Sequence, residues 1–323
     1  MQKTFNPTNS IDVDFDSYVK SKQDVHDANL EGGIPNYAFA SDYLIRKKIM
    51  AIPGVFPFFK AVTSTIVPFM KQQFNMDGLR VGPDQYSNIY NMTAKCADVL
   101  GIGVPSVYII NAPGVMNAFT FATDDEAPLI VLFSGLVERL TEGELKSVIG
   151  HECGHIHNNH GVFNIAVEIL INKSFHVPMA AQIMSLAIMP LRLMLLVWSR
   201  AGEVSCDRAG IICSDDKMDM SRASAKLMSG GMLGMEGANL DAIIKQYDML
   251  RITPVRLLEL SRTHPLSVRR ILANQEFINS DILYKWRPEW REPGMNLMDK
   301  KELDARTDKY ISIIKNKEGK KRG

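Results

Sequence analysis

His151-Glu152-Cys153-Gly154-His155 places two imidazoles and a carboxylate within little more than one helical turn. On a helix, residues four apart project from the same face, so the two histidines can grip one metal ion. Glu152, beside them, can take a proton from an attacking water. This is the apparatus of metal-assisted hydrolysis. By ligand type zinc is preferred over manganese or cobalt.

Five-residue matches also arise by chance in helical proteins, so the elements that hold the motif decide its meaning. Ala127 to Phe133 is an apolar, branched run that reads as a buried strand, and Ser134-Gly135 opens a short amphipathic helix, Leu136 to Leu140. Thr141 followed by Glu144 makes a capping box, from which a new helix runs through Leu145, Val148 and Ile149 into the motif. The spacing therefore predicts both histidines on one helix.

A hydrolytic zinc needs a third protein ligand and an open fourth position. No third histidine follows closely: Asn158 and Gly161 stand where glycine and histidine would be needed. A distant carboxylate must serve, and Glu203 is the best candidate, with Asp207 four residues later on the same helical face. Glu203 would bind the metal while Asp207 accepts the outer N–H of a ligand histidine and fixes its tautomer. The competing reading of this pair is a charged i,i+4 couple on a solvated helix.

His151-Glu152-x-x-His155, the later Glu203-x-x-x-Asp207 and Thr263-His264-Pro265, in that order, resemble the zinc metalloendopeptidase family of gluzincin type that includes the protease HtpX, the mitochondrial protease Oma and the CAAX prenyl proteases. The similarity covers roughly residues 85 to 275. Asn117-Ala118-Phe119, Ser134-Gly135-Leu136 and His160 match as well. The resemblance implies one zinc ion per chain on His151, His155 and Glu203, with Glu152 as general base handing its proton on to the leaving amine. It further implies that Asn117 lies on an edge strand that pairs with extended substrate, and that Asn117 and His264 are catalytic, hydrogen-bonding the tetrahedral intermediate. A histidine before proline at the start of a helix also caps or packs, and for His264 both readings stand. His157 is two residues past His155, on nearly the opposite face, which suits a surface or buttressing role; His160 either buttresses the site or ends the helix in solvent. His26 and His176 have no partner in sequence.

The chain has 323 residues, 46% hydrophobic and 23% charged, with a formal net charge of +1. That near-neutral balance gives no electrostatic reason to expect nucleic acid. Cys96, Cys153, Cys206 and Cys213 form neither a disulfide framework nor a C-x-x-C metal site, so a reducing compartment is expected. The first residues lack the apolar core of a signal peptide. The expected location is cytoplasmic, with membrane association as a second reading.

Two segments bear on the membrane. Ile49 to Phe69 is very apolar but carries Lys60 and is punctuated by Pro53, Gly54, Pro57 and Pro68, which favours a buried or interfacial element over a spanning helix. Val177 to Trp198 is long enough to span, yet it holds Gln182, Ser185, Pro190 and Arg192. An arginine near the centre of a span costs roughly 2.5–3.5 kcal/mol. A helix packed on the catalytic core or lying along a membrane surface is preferred, so any membrane contact is expected to be peripheral.

The sequence predicts an α+β fold, mainly helical: a zincin-like metallopeptidase domain with a small sheet beside the motif helix. Its expected strands are Val107 to Ile110, Phe119 to Phe121 and Leu129 to Leu132. Expected boundaries are an irregular arm over 1–36, the peptidase domain over 37–285 and a charged extension over 286–323. After Asp207 the pattern stays helical, broken by the glycine- and methionine-rich residues 229–237, either a wall of the cleft or a plain loop. The expected function is endoproteolysis of extended peptide or unfolded protein by metal-activated water. The alternatives are a non-catalytic zinc-binding interaction module, weakened by the presence of Glu152, and an integral-membrane quality-control protease with the same chemistry.

Overall fold

The structure, a computed structural model, describes residues 30–31, 33–123, 127–171, 189–231, 239–249 and 267–312. His264 with its flanking Thr263 and Pro265, His26, His176, residues 177–188 of the long apolar stretch, most of the glycine-rich turn, and the last basic residues lie outside them.

A short antiparallel ladder, β1 (Leu30–Glu31) with β2 (Ile34–Pro35), leads into α1 (Ala40–Met50) and α2 (Val55–Asp77). The break between the two helices falls at residues 51–54, where Gly54 adopts φ 77°. Pro57 and Pro68 do not end the helix as their breaker character suggests. Pro57 sits in the first turn, where a missing N–H leaves nothing unpaired, and Pro68 is carried within a helix that buries Phe59, Thr63, Val67 and Phe74 along one side. Among the described residues no single helix is long and apolar enough to cross a membrane; α1 and α2 together reach that apolarity but are bent by 98°. Leu44, Met50, Phe58 and Phe69 are exposed on these two helices.

β3 (Gly78–Arg80) and α3 (Ser87–Leu100) precede the expected strands, found as β4 (Ser106–Ile110), β5 (Ala118–Phe121) and β6 (Leu129–Phe133). They form a mixed sheet in the order β3-β4-β6-β5, with β4 parallel to β6 and the other neighbours antiparallel. Phe74 of α2 packs on one face with Tyr108, Leu129, Val131, Phe119 and Phe121. Ile109, Ile130 and Leu132 point the other way into the main core. By the strand's period of two, Thr120 also faces that side, toward the motif helix.

α4 (Ser134–Arg139) and α5 (Glu142–His157) follow. The expected capping box is present: Thr141 Oγ1 accepts from the Glu144 N–H while the Glu144 carboxylate accepts from the Thr141 N–H. α6 (Gly161–Leu170), α7 (Met189–Cys213), α8 (Asp219–Ser229) and α9 (Leu240–Met249) continue the chain. α10 (Ser267–Ile278), α11 (Asp281–Trp286), a 3-10 turn at Pro288–Trp290 and α12 (Lys300–Ile311) complete it. The C-terminal extension, legible only as charged sequence, thus includes a packed helix that buries Leu303 and Ile311.

α5 from Glu144 to Ile156 and α7 from Trp198 to Cys213 are buried almost all round, so these two helices form the centre. They cross at glycines. A Cβ at Gly150 would lie 2.5 Å from Cys213 Cβ, and one at Gly154 would lie 2.7 Å from Ala209 Cβ. Small residues at this crossing bring the polar faces of the two helices within bonding distance.

Candidate metal centre

The crossing of α5 and α7 turns His151, His155 and Glu203 toward one point. His151 Nε2 lies 3.7 Å from Glu203 Oε2, and His155 Nε2 lies 3.7 Å from Glu203 Oε1. Donors each about 2.0–2.2 Å from a tetrahedral zinc are roughly 3.3–3.6 Å apart, so these three side chains fit a metal with only a few tenths of an ångström of closure. All three are buried.

His151, His155 and Cys206 also offer ligand atoms within 4.8 Å of one another. Glu203 is the better third donor. Both Nε2 atoms face its oxygens, whereas Cys206 Sγ lies 3.6 Å from His160 Nδ1, beside the contact that His155 makes through its Nδ1. Burial also pushes the Cys206 thiol well above its usual range, with Glu203 and Asp42 adding to the effect, which keeps it protonated.

The Nδ1 atoms point outward to fixed partners. His151 Nδ1 lies 2.9 Å from Asp207 Oδ1, the contact anticipated from the i,i+4 spacing. Arg270, on α10, reaches both carboxylates of α7: its guanidinium is 2.8 Å from Glu203 Oε2 and 2.7 Å from Asp207 Oδ2. Burial works against the charge of Asp207, but Arg270 and then His151 outweigh it and lower its pKa. Burial likewise disfavours the His151 cation, yet the hydrogen bond to Asp207 and the charge of Glu203 raise its pKa above the ordinary imidazole value of 6.5.

That shift predicts a pH dependence for any metal held by His151. A histidine must be neutral to ligate, so with a raised pKa a metal bound there would have to displace a proton at pH values above 6.5. Apparent metal affinity therefore climbs with pH through and above 6.5. The protonated pair with Asp207 and Glu203 contributes to the stability of the metal-free fold fully below pH 6.5 and less as pH rises through the shifted pKa. Chelator competition at pH 6, 7 and 8 checks this, and an affinity that does not move across that range contradicts it.

α5 ends in a tight reversal. His160 N–H donates to the His155 carbonyl and Asn159 N–H to that of Ile156, with Asn159 at φ 56°. These are the bonds of a Schellman turn. Gly161 follows because a Cβ there would fall 1.8 Å from the Ala122 carbonyl oxygen. The reversal tucks His160, fully buried, under His155: the two Nδ1 atoms are 3.1 Å apart. His157 instead meets the Tyr37 hydroxyl at 2.9 Å.

Glu152, also buried, receives a 2.6 Å hydrogen bond on Oε2 from the hydroxyl of Thr120. Asn117 lies one residue before β5, exposed, its carbonyl accepting from the Phe133 N–H. β5 is the end strand of the sheet, hydrogen-bonded only to β6 among the described residues.

Sequence reasoning missed Arg270, Asp42 and Thr120. A signal for Arg270 existed, since two carboxylates on one buried helical face require a counter-charge, although nothing local says which cation supplies it. Thr120 follows from the alternation of β5 once its aromatic face is known. Asp42 has no local signal.

Residues 83–277 match the model of Peptidase family M48, and the chain belongs to that family. It is 31% identical over 241 residues to the plastoglobule-localized metallopeptidase 48, chloroplastic, of Arabidopsis thaliana, covering 72% of this chain and 69% of that protein. A protease HtpX homolog of Helicobacter pylori is 50% identical over 68 residues, 21% of this chain and 22% of that protein. The protease HtpX of Baumannia cicadellinicola is 28% identical over 128 residues, 39% of this chain and 44% of that protein. The match to both HtpX proteins spans less than half of their length. The chain is a metal-dependent peptidase with a zincin-like, mainly helical fold, and its substrates are peptides or proteins.

Proposed function

We propose that the protein is a zinc metalloendopeptidase in which His151, His155 and Glu203 hold the metal and Glu152 is the general base. The observation that carries this reading is the convergence of the two imidazole Nε2 atoms on the two oxygens of one buried carboxylate, each at 3.7 Å. Bound there, zinc would supply Lewis acidity, polarising the scissile carbonyl and acidifying a water molecule. Asp207 holds His151 in the tautomer that leaves Nε2 free, and Arg270 pairs with Glu203 and keeps Asp207 ionised. Glu152 takes the proton of the attacking water and delivers it to the departing amine. Extended substrate pairs with the edge of β5 that no described strand covers, and Asn117 and His264 donate to the oxyanion. Unfolded polypeptide suits this site because only an extended backbone can lie along a strand edge. Any membrane contact is peripheral, and the catalytic unit spans 37–285.

Thr120 positions the base. Thr120→Val keeps the shape and removes the hydroxyl, and the expected result is a fall in kcat/KM of roughly tenfold, the low end for a hydrogen bond to a charged group. Cleavage of the same substrate by both proteins checks this, and an unchanged rate would show that Thr120 does not orient Glu152.

The function is tested with casein as an unfolded substrate. Purified protein stripped by a chelator is expected to be inactive and to regain cleavage with about one equivalent of zinc. Cleavage that survives complete removal of metal would exclude the mechanism, and stoichiometric zinc without cleavage of any unfolded substrate would favour the non-catalytic reading.

A further inference from the structure

The metal ligand His155 is braced by a chain of buried polar groups that ends outside the family-matched region. His155 Nδ1 meets His160 Nδ1 at 3.1 Å, and His160 Nε2 meets Asp42 Oδ2 at 2.9 Å. Asp42 lies on α1, 118 residues before His160 and well upstream of residue 83, where the match to the family begins. His160 and Asp42 are both buried.

The carboxylate is held in place independently of the histidine. Asp42 Oδ1 accepts from Trp198 Nε1 at 2.8 Å, and Oδ2 also accepts from the Ser205 hydroxyl at 2.7 Å. Ser205 in turn accepts from the Phe39 N–H at 3.0 Å, and Trp198 stacks edge-on against His160 at 5.3 Å between centroids. Trp198 Nε1 can only donate, and the Ser205 hydroxyl, which accepts from the Phe39 N–H, gives its own proton to Asp42, so both carboxylate oxygens act as acceptors. Asp42 is therefore an acceptor only.

Proton positions along the chain follow. An ionised Asp42 can only accept, so His160 carries its proton on Nε2 and presents a lone pair at Nδ1. That lone pair requires the proton of His155 to sit on Nδ1. His155 Nε2 is then left unprotonated on the side that faces Glu203.

We propose that Asp42 is a positioning residue for the metal centre, acting through His160 to lock His155 in its metal-binding tautomer and orientation. The inference rests on His155 being a metal ligand, as argued under the proposed function. α1 is thereby part of the working enzyme, and the catalytic unit cannot be trimmed to the family-matched residues. Another neighbour of His155 Nδ1 among the described residues is the Asn164 side-chain amide at 3.2 Å, which with its oxygen turned inward could accept the same proton. The Asp42–His160 arm and Asn164 are distinguished by mutation.

The experiment measures zinc affinity of the full chain by chelator competition, with the melting temperature of the metal-free protein recorded in parallel. Wild type must first bind about one zinc that is lost in His155→Ala. In Asp42→Asn the affinity is expected to fall 10- to 100-fold, the usual effect of removing an outer partner of a ligand histidine. His160→Asn, which retains an acceptor near the Nδ1 position, should keep most of the affinity and make it insensitive to a second Asp42→Asn change. His160→Leu should lose affinity and also abolish the Asp42 effect, so the double variant is no worse than the single. Asn164→Ala should leave affinity within about threefold of wild type.

Several results would overturn the proposal. Asp42→Asn that lowers the melting temperature while binding zinc as tightly as wild type would reduce Asp42 to a structural role. Additive losses for Asp42→Asn and His160→Leu would break the chain between them. A large loss in Asn164→Ala alone would transfer the role to Asn164. Wild type without stoichiometric zinc would remove the ligand assignment itself, and the relay with it. The cobalt-substituted protein gives a second readout for poorly stable variants: the ligand-field spectrum should shift in Asp42→Asn and remain unshifted in the exposed control Lys285→Ala, and an unshifted Asp42→Asn spectrum would overturn the relay.

Discussion

Glu152→Gln is expected to bind zinc as wild type does and to cleave casein roughly 10²- to 10⁴-fold more slowly, the usual range for loss of a positioned acid–base group. Glutamine preserves the shape of the side chain and can still accept from Thr120, whose hydroxyl lies 2.6 Å from Glu152 Oε2. What it cannot do is take a proton. Metal content stays unchanged because Glu152 is not among the side chains that converge on the proposed metal position. Single-turnover cleavage together with metal analysis checks both halves, and comparable rates in the two proteins would remove Glu152 from the mechanism.

Arg270→Ala is expected to produce the largest loss of stability. The guanidinium, 12% exposed, is shared by Glu203 and Asp207, which are 6% and 1% exposed. Burial disfavours its charge, yet Asp207 and Glu203 raise its pKa further still, so it remains a cation. Removing it leaves two buried carboxylates facing each other's charge, a penalty of about 3–5 kcal/mol. In a domain of this size that lowers the melting temperature by on the order of 10 °C.

Two dependences identify the cause. The Asp207 pKa is lowered in the folded protein, so its ionic stabilisation is present above the unfolded value of 3.8 and lost as pH falls through the folded one; the penalty of the variant should shrink across that same interval. Added zinc should recover part of the loss, because Glu203 then regains a positive partner. Urea denaturation at pH 7 with and without zinc, and in steps below pH 3.8 without it, reads all of this. A variant as stable as wild type at pH 7 would contradict the electrostatic account of this cluster.

Features encoded locally were legible in the sequence. The Thr141–Glu144 capping box set the start of the motif helix, and the branched apolar runs near 107–110 and 129–132 became β4 and β6 with ends shifted by one residue. The i,i+4 spacing of Glu203 and Asp207 placed both on the face that meets the histidines. Features that depend on distant contacts were not legible. β3 is three residues long and has no pattern of its own apart from its pairing with β4. The continuity of α2 through Pro68 comes from the packing of Phe59, Val67 and Phe74, which outweighs the local cost of proline. Asp42 and Arg270 act on the centre from α1 and α10, and only the tertiary fold brings them there.

X-ray absorption at the zinc edge of the reconstituted wild-type protein reads the identity of the metal's donors. The expected shell is nitrogen and oxygen at about 2.0–2.1 Å containing two imidazoles, with no sulfur at about 2.3 Å. In Glu203→Ala the protein should lose most of its zinc. A sulfur shell, or full zinc occupancy without Glu203, would place Cys206 on the metal instead and contradict the assignment of His151, His155 and Glu203 as its ligands.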